Sequence, residues 1–106
     1  MNSVAGQPDN LEDMKEHAGE AARLLKALAN ETRLMILCSL AGQELSVGAL
    51  NRKVRLSQSA LSQHLAVLRR DKLVQTRRKS QTIYYSLADT RSSKIIDVLR
   101  QLYCNN

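Results

Sequence analysis

Large aromatic residues are almost absent from this sequence. Its 106 residues include no tryptophan and no phenylalanine, and three tyrosines are the only aromatic residues. The hydrophobic core must therefore be built from Leu, Ile, Val, Ala and Met together with these tyrosines. A core of that kind in so short a chain favours the burial of further apolar surface against a partner.

Long apolar runs are absent too. No run approaches the ~18 residues that a membrane-spanning helix needs, and the segment MNSVAGQPDN has neither the basic nor the apolar region of a signal peptide. We therefore expect a cytoplasmic protein with no membrane partner. The length favours one domain, which we place at residues 9–106, after a disordered tail at 1–8.

Cysteine and acidic residues are both scarce. The two cysteines, Cys38 and Cys104, are too few and too far apart for a CxxC motif or a zinc knuckle. Sixteen Lys and Arg outnumber ten Asp and Glu, which gives a formal net charge of +6 and an isoelectric point near 9.8. A compact basic domain favours nucleic acid or an anionic membrane as its partner, although a merely soluble basic protein has the same composition.

Apolar spacing predicts a mainly α fold with one β-hairpin, in the order α-α-α-α-β-β-α. The first helix follows a cap at Asp9 or Asn10, ends near Ala29 and carries the stripe Leu11, Met14, Ala18, Ala21, Leu25 and Leu28. Three further helices are predicted at 31–41, 47–54 and 58–71, capped by Asn30, Ser46 and Ser57. The segments LVQTRRK and TIYYSL flank a Ser80-Gln81 turn, and Asp89 or Thr90 opens the last helix.

The third and fourth helices are joined by a tight turn at Arg55-Leu56 and are followed by the basic hairpin. That layout predicts a winged helix–turn–helix. At 100° per residue, Leu61, Leu65 and Leu68 fall on one side of the fourth helix. The opposite side carries Ser59, Ser62, Gln63, Ala66 and Arg70, with no carboxylate between Ser57 and Arg70.

This polar face has the chemistry that a DNA major groove requires, since Gln can bond adenine and Ser can bond bases or phosphates. A plain polar surface helix is the alternative. Arg77, Arg78 and Lys79 near the hairpin tip fit phosphate contacts, or simply a solvated charge run, and His64 fits a DNA contact as well as a partly packed histidine. The candidate DNA-binding residues are Ser57, Gln58, Ser59, Ser62, Gln63, His64, Arg70, Arg77, Arg78 and Lys79.

Three segments resemble the ArsR/SmtB family of winged-helix repressors: LLKALANETRLMILCSL, ELSVGALNRKVRLSQSALSQHLAVLRRDKLV and the hairpin ending IYYSL. The resemblance implies a homodimer formed by the first and last helices, which presents two recognition helices to an inverted-repeat operator in double-stranded DNA. It also implies a transcriptional repressor, not an enzyme, that leaves DNA when a ligand or an oxidation event reshapes the dimer.

The family's metal sites are not expected here. Ser46 and Gly48 occupy the positions where many members place metal-binding cysteines, and hydroxyl or hydrogen cannot replace thiolate for a soft metal. The last helix lacks histidine, and its only acids are Asp89 and Asp97. We therefore predict no metal and no cofactor. Lys72 replaces the family's usual glycine after the recognition helix, and the wing tip lacks glycine as well.

Cys38 and Cys104 resemble in their placement the thiol pair of the family's branch that senses reactive sulfur. That resemblance implies a disulfide or polysulfide bridge within one chain, with reactive sulfur species or oxidants as effectors and release of the operator as the result. Two alternatives stay open. Cys38 lies on an apolar stripe and fits a packing residue, which would leave a non-switching anti-silencing or architectural DNA-binding protein. A thiol enzyme that handles sulfane sulfur has little support, because no basic residue or histidine adjoins either cysteine in sequence.

Overall fold

The structure, a computed structural model, describes residues 8–88 and 90–104. Five helices and three strands follow one another as α1 Pro8–Leu28, α2 Glu31–Ser39, β1 Leu45–Ser46, α3 Val47–Val54, α4 Gln58–Arg70, β2 Val74–Lys79, β3 Thr82–Leu87 and α5 Thr90–Tyr103. The predicted fold, mainly α with a hairpin wing behind a helix–turn–helix, is confirmed. None of the helices within the described ranges is long and apolar enough to span a bilayer.

Polar caps begin three of the helices, as the sequence predicts. The Asn30 side chain accepts a hydrogen bond from the Arg33 amide at 2.9 Å. Ser46 and Ser57 accept bonds from the amides three residues later, each at 3.1 Å. Each cap satisfies an amide that the first helical turn leaves without a partner. The starts of α2, α3 and α4 are thus fixed by local sequence.

Three helix boundaries differ from their predicted positions. Helix α1 begins at Pro8, so Asp9 and Asn10 lie inside its first turn instead of capping it; proline suits this place because its missing N–H is not needed there. Residues 1–7 of the predicted tail lie outside the described residues, as does Asp89; α5 begins at Thr90, one of its two predicted starts.

The other two helix ends come earlier than predicted. Helix α2 ends at Ser39 because the Leu40 amide bonds back to the carbonyls of Ile36 and Leu37, which tightens the last turn. Gly42 follows with a positive φ of 73°. Helix α4 ends at Arg70, and Asp71 is its C-cap.

A short strand that sequence periodicity did not predict joins the wing to the helix–turn–helix. β1 pairs antiparallel with β3, matching Leu45 to Tyr85 and Ser46 to Tyr84, so the sheet order is β1-β3-β2. Two residues are too few to show an alternating pattern. Because Ser46 also caps α3, the wing and α3 share one anchoring segment.

Among the residues that the structure describes, three non-glycine residues have positive φ: Arg55 at 56°, Lys72 at 62° and Ser80 at 57°. Arg55 makes the turn between α3 and α4 that the sequence predicts. Lys72 and Ser80 stand at the two places where the expected glycine is missing. The chain therefore keeps the glycine-like turn geometry there with L-residues, at a steric cost of about 1 kcal/mol each.

The core is aliphatic. The buried apolar residues are Ala27, Leu28, Ile36, Leu37, Leu40, Leu50, Leu61, Leu65, Leu68, Leu73, Val74 and Ile96. This set, drawn from residues 10–88 and 90–104, contains no methionine and no tyrosine, contrary to the expected core. Met14 and Met35 are more than half exposed, and Tyr85 packs only at the edge.

Candidate nucleic-acid interface and cysteine pair

Helix α4 has two chemically distinct faces. Leu61, Leu65 and Leu68 point into the core with at most 4% of their surface exposed. Ser59, Ser62, Gln63, Ala66 and Arg70 are exposed on the other side. The outward face thus offers an amide, hydroxyls and one cation, with no carboxylate, and short side chains that let the helix backbone approach a partner closely.

The beginning of α4 is exposed. Ser57 and Gln58 are exposed, and the Ser57 and Ser59 hydroxyls lie 3.4 Å apart. His64 is half-buried at the border between the two faces of α4. At the far end, Arg70 Nε lies 3.4 Å from the Asp71 carboxylate.

The three predicted wing cations do not share one environment. Arg78 and Lys79 are exposed and pair across the hairpin with Ile83 and Thr82. Arg77 instead makes a two-pronged ion pair with Glu44, Nε to Oε2 at 2.9 Å and Nη2 to Oε1 at 2.8 Å. Its guanidinium also lies over the Tyr84 ring, 4.9 Å from the centroid. Within residues 8–88 and 90–104, no carboxylate pairs with Arg78 or Lys79.

The ion pair shifts the titration of both partners. Hydrogen bonds from Arg77 hold the pKa of Glu44 below its ordinary value, and the carboxylate in turn raises the pKa of Arg77. Both groups therefore stay charged over a wider pH range than either would alone.

Three cations that the sequence analysis did not single out lie beside the start of α4. Arg52 and Lys53 are exposed in the last turn of α3, and Arg55 is exposed in the turn that follows. Basic residues suit a helix C-terminus, where the dipole is negative. The signal for them, a basic cluster directly before the predicted recognition helix, was present in the sequence.

Both cysteines are free thiols on packed helices. Cys38 is half-buried on α2, and Cys104 is exposed directly after α5. α2 and α5 pack against each other. Burial raises the pKa of Cys38, the negative charge of a Cys104 thiolate raises it further, and Arg100 lowers it. The two thiols therefore belong to neighbouring helices of one chain, and the charge of one thiol affects the pKa of the other.

Arg100 is a further residue that the sequence analysis missed. It lies one helical turn before Cys104, whose amide donates to the Arg100 carbonyl at 2.7 Å. The sequence analysis found no basic residue directly adjoining either cysteine, but it did not compare residues one helical turn apart. The helical spacing of four residues was the signal that could have found it.

A third feature is an apolar surface on α1 and α5. Leu11, Met14 and Leu25 of α1 are 56–60% exposed, and Val98, Leu102 and Tyr103 of α5 are 51–81% exposed.

No group of three His, Cys, Asp or Glu side chains within 8–88 and 90–104 is placed to hold a metal ion.

The known proteins to which this chain is similar are bacterial regulatory proteins. Residues 30–76 match the family described as "Bacterial regulatory protein, arsR family". The chain is 53% identical over 104 residues to the transcriptional activator HlyU of Vibrio cholerae, covering 98% of this chain and 96% of that protein. It is 40% identical over 93 residues to the biofilm growth-associated repressor of Xylella fastidiosa, covering 88% and 82%. The solved structure of reduced HlyU from Vibrio cholerae superposes with a TM-score of 0.83 at 54% identity, covering 88% of this chain and 98% of that one.

Proposed function

The chain belongs to the arsR family of bacterial regulatory proteins and is a DNA-binding transcriptional regulator, and from that premise we propose that it is a thiol-switched homodimeric repressor. In the reduced state, α4 of each protomer lies in the major groove of an inverted repeat. Oxidation or sulfuration joins Cys38 to Cys104 within one chain, and the operator is released. The observation that carries the proposal is the placement of the two free thiols, one on α2 and one directly after α5, on two helices that pack against each other.

On the DNA side, the proposal rests on the uncharged outer face of α4. Gln63 can bond adenine through two hydrogen bonds, and the neighbouring serines can bond bases or phosphates. Arg78 and Lys79 reach the backbone from the wing, while Ser57 and Gln58 present the helix N-terminus to a phosphate. A two-fold dimer then requires half-sites one helical turn, or a multiple of it, apart.

On the thiol side, exposure sets the order of events. Cys104 is the exposed thiol, whereas burial raises the pKa of Cys38. With a small persulfide, the Cys104 thiolate takes the outer sulfur and releases the thiolate of the donor. Cys38 then attacks the sulfur of Cys104 and hydrosulfide leaves, which forms a disulfide. With peroxide, Cys104 becomes a sulfenic acid and the same attack releases water.

The position of Cys104 explains how a bridge would change DNA binding. It follows Leu102 and Tyr103, which are 67% and 81% exposed on the apolar surface proposed for the dimer. A bond to Cys38 would hold the end of α5 against α2 and move these side chains. The distance between the two α4 helices would change with the interface, and a coupling of ~2–3 kcal/mol is enough to empty an operator.

The test is operator binding by wild type, Cys38→Ser and Cys104→Ser, each reduced and then treated with glutathione persulfide. We expect equal binding by the three reduced proteins, release of wild type alone, and a Cys38–Cys104 peptide within one chain by mass spectrometry. Ser39→Ala, which changes the side chain next to Cys38, is the control and should release like wild type. Equal release of all three proteins would exclude the paired-thiol switch.

A second candidate is a regulator whose cysteines only pack. Cys38 touches the buried core, as a structural cysteine would. Such a protein would bind DNA with the same α4 face and act by displacing another regulator. Its DNA affinity would not change on treatment with persulfide. The same experiment therefore distinguishes it from the first candidate.

A further inference from the structure

The Glu44–Arg77 ion pair crosses the whole sheet. Glu44 directly precedes β1 at one edge, Arg77 lies in β2 at the other edge, and β3 runs between them. Arg77 is opposite Tyr84 in β3, which is opposite Ser46 in β1, so these three residues form one row on one face. The guanidinium therefore passes over the central strand, above the Tyr84 ring, to reach the first strand.

The geometry of the pair is specific. Both carboxylate oxygens of Glu44 are engaged by two guanidinium nitrogens at 2.8 and 2.9 Å. Two parallel charge-assisted bonds fix the orientation of a guanidinium more strictly than a single contact does. The Tyr84 ring supports the same position from below. Arg77 is thus held in one place before any DNA is bound.

The pair also joins the wing to the start of the helix–turn–helix. Glu44 is two residues before Ser46, whose hydroxyl caps α3. The ion pair of Arg77 with Glu44 consequently links β2 to the segment that leads into α3. The exposed cations Arg78 and Lys79 lie just beyond it, toward the Ser80 turn.

We infer that Arg77 is a positioning residue, and not a phosphate contact, and that its ion pair with Glu44 fixes the wing so that Arg78 and Lys79 meet the DNA backbone. The inference deepens the proposed function and rests on its wing–DNA contact. It replaces the expectation that all three basic residues of the wing bind phosphate. Since Glu44 already neutralises Arg77, binding there would first require the pair to break.

A charge swap separates the two roles. The double variant Glu44→Arg/Arg77→Glu keeps the net charge and can rebuild the pair in reverse. We expect each single change to weaken operator binding several-fold, because losing an exposed ion pair changes an equilibrium constant by about that factor. The double variant should bind within about twofold of wild type. If Arg77 contacts phosphate, the double variant places a carboxylate there and loses binding at least as severely as Arg77→Glu.

The salt dependence of binding gives an independent readout. Each phosphate contact contributes about one to the slope of log K against log salt concentration. Without the clamp, the bound wing can still place Arg78 and Lys79 on phosphate at a cost in affinity, so we expect Arg77→Gln to weaken binding without changing the slope. The matched control Arg78→Gln should reduce the magnitude of the slope by about one. A reduction of that size in Arg77→Gln would overturn the assignment.

Amide hydrogen exchange without DNA tests the clamp separately from the DNA contact. Glu44→Gln should speed exchange in β2 and β3 several-fold while leaving α4 protected, and unchanged hairpin exchange would contradict the clamp. If exchange rises but Arg78→Gln leaves the salt slope unchanged, the clamp is supported while the wing–DNA contact of the proposed function is wrong.

Discussion

Gln63 has the most specific chemistry of the residues on the exposed face of α4. Its amide can donate and accept at once, which the neighbouring serines and Ala66 cannot match. We predict that Gln63→Ala costs ~1–3 kcal/mol on the operator and relaxes base preference at one position in each half-site. Binding to a library randomised at each position would measure this. Gln43→Ala, an exposed glutamine outside α4, is the control, and unchanged specificity in Gln63→Ala would show that α4 lies differently in the groove.

The Glu44 carboxyl should titrate below its ordinary value of 4.5, because Arg77 donates two hydrogen bonds to its charged form. A carboxyl whose pKa is lowered on folding stabilises the fold above its unfolded pKa, and this contribution is lost as pH falls through the folded value. We predict a downshifted titration by NMR in wild type and a return toward 4.5 in Arg77→Gln. Identical titration curves would show that the pair does not persist in solution.

Arg100 should influence Cys38 through space, since its charge lowers the pKa of that thiol against the effects of burial and Cys104. We predict that Arg100→Gln raises the pKa of Cys38 and slows its alkylation near neutral pH, while Cys104 still reacts before Cys38 in both proteins. Mass spectrometry after timed iodoacetamide treatment would measure both rates. Lys94→Gln, another exposed cation of α5, is the control. Faster alkylation of Cys38 than of Cys104 would reverse the proposed order of attack.

Some helix boundaries could be predicted from the sequence, whereas others and the strand β1 could not. The caps at Asn30, Ser46 and Ser57 could be predicted because each acts on an amide three residues away. The C-terminal end of α2 and the start of α1 depend on which amide bonds which carbonyl, and helix ends vary by one or two residues on that account. β1 exists only because β3, almost forty residues later, pairs with it, and no local pattern encodes that contact.

A substitution in the hairpin turn should make the protein more stable. Lys79 pairs with Thr82, so Ser80 and Gln81 form a two-residue loop, and only Ser80 has a positive φ. A type II′ turn has this pattern and favours glycine at the first position. We predict that Ser80→Gly stabilises the protein by ~0.5–1 kcal/mol in urea unfolding, because strain at an L-residue is removed.

Gln81→Gly is the matched control for the hairpin turn. Its φ is not positive, so glycine there relieves no strain and only adds freedom to the unfolded chain. We expect this variant to be slightly less stable than wild type. Stabilisation by both substitutions, or by neither, would show that the turn is not of this type.

At the scale of the whole molecule, sequence predicted the winged helix–turn–helix because every helix and the hairpin carry a local signal. The recognition face followed from helical periodicity alone, and Leu61, Leu65 and Leu68 are buried as expected. The partnership of Glu44 with Arg77 could not be predicted, since 33 residues separate them. The proximity of Cys38 to Cys104 was implied by family resemblance and not by any spacing within the chain.

The apolar surface on α1 and α5 bears on assembly. In the single chain, Leu102 is 67% exposed and Leu11 is 60% exposed, which leaves large side chains of both helices in water. Exposed apolar surface of this extent marks an interaction site, and the family resemblance implies that a second copy covers it. We therefore expect folding of the protomer and formation of the dimer to be separable by mutation.

Leu102→Ser should shift the chain from dimer to monomer. A leucine buried at an interface contributes about 1.5–3 kcal/mol, and two-fold symmetry doubles the loss for each dimer. Sedimentation at micromolar concentration should then show monomer, with helical circular dichroism unchanged because the side chain is not part of the protomer's core. Binding to the full inverted repeat should fall sharply, while a single half-site loses little. The neighbouring Gln101→Ser, also exposed on α5, should remain dimeric. A dimer of wild-type strength in Leu102→Ser would place the interface elsewhere on the molecule.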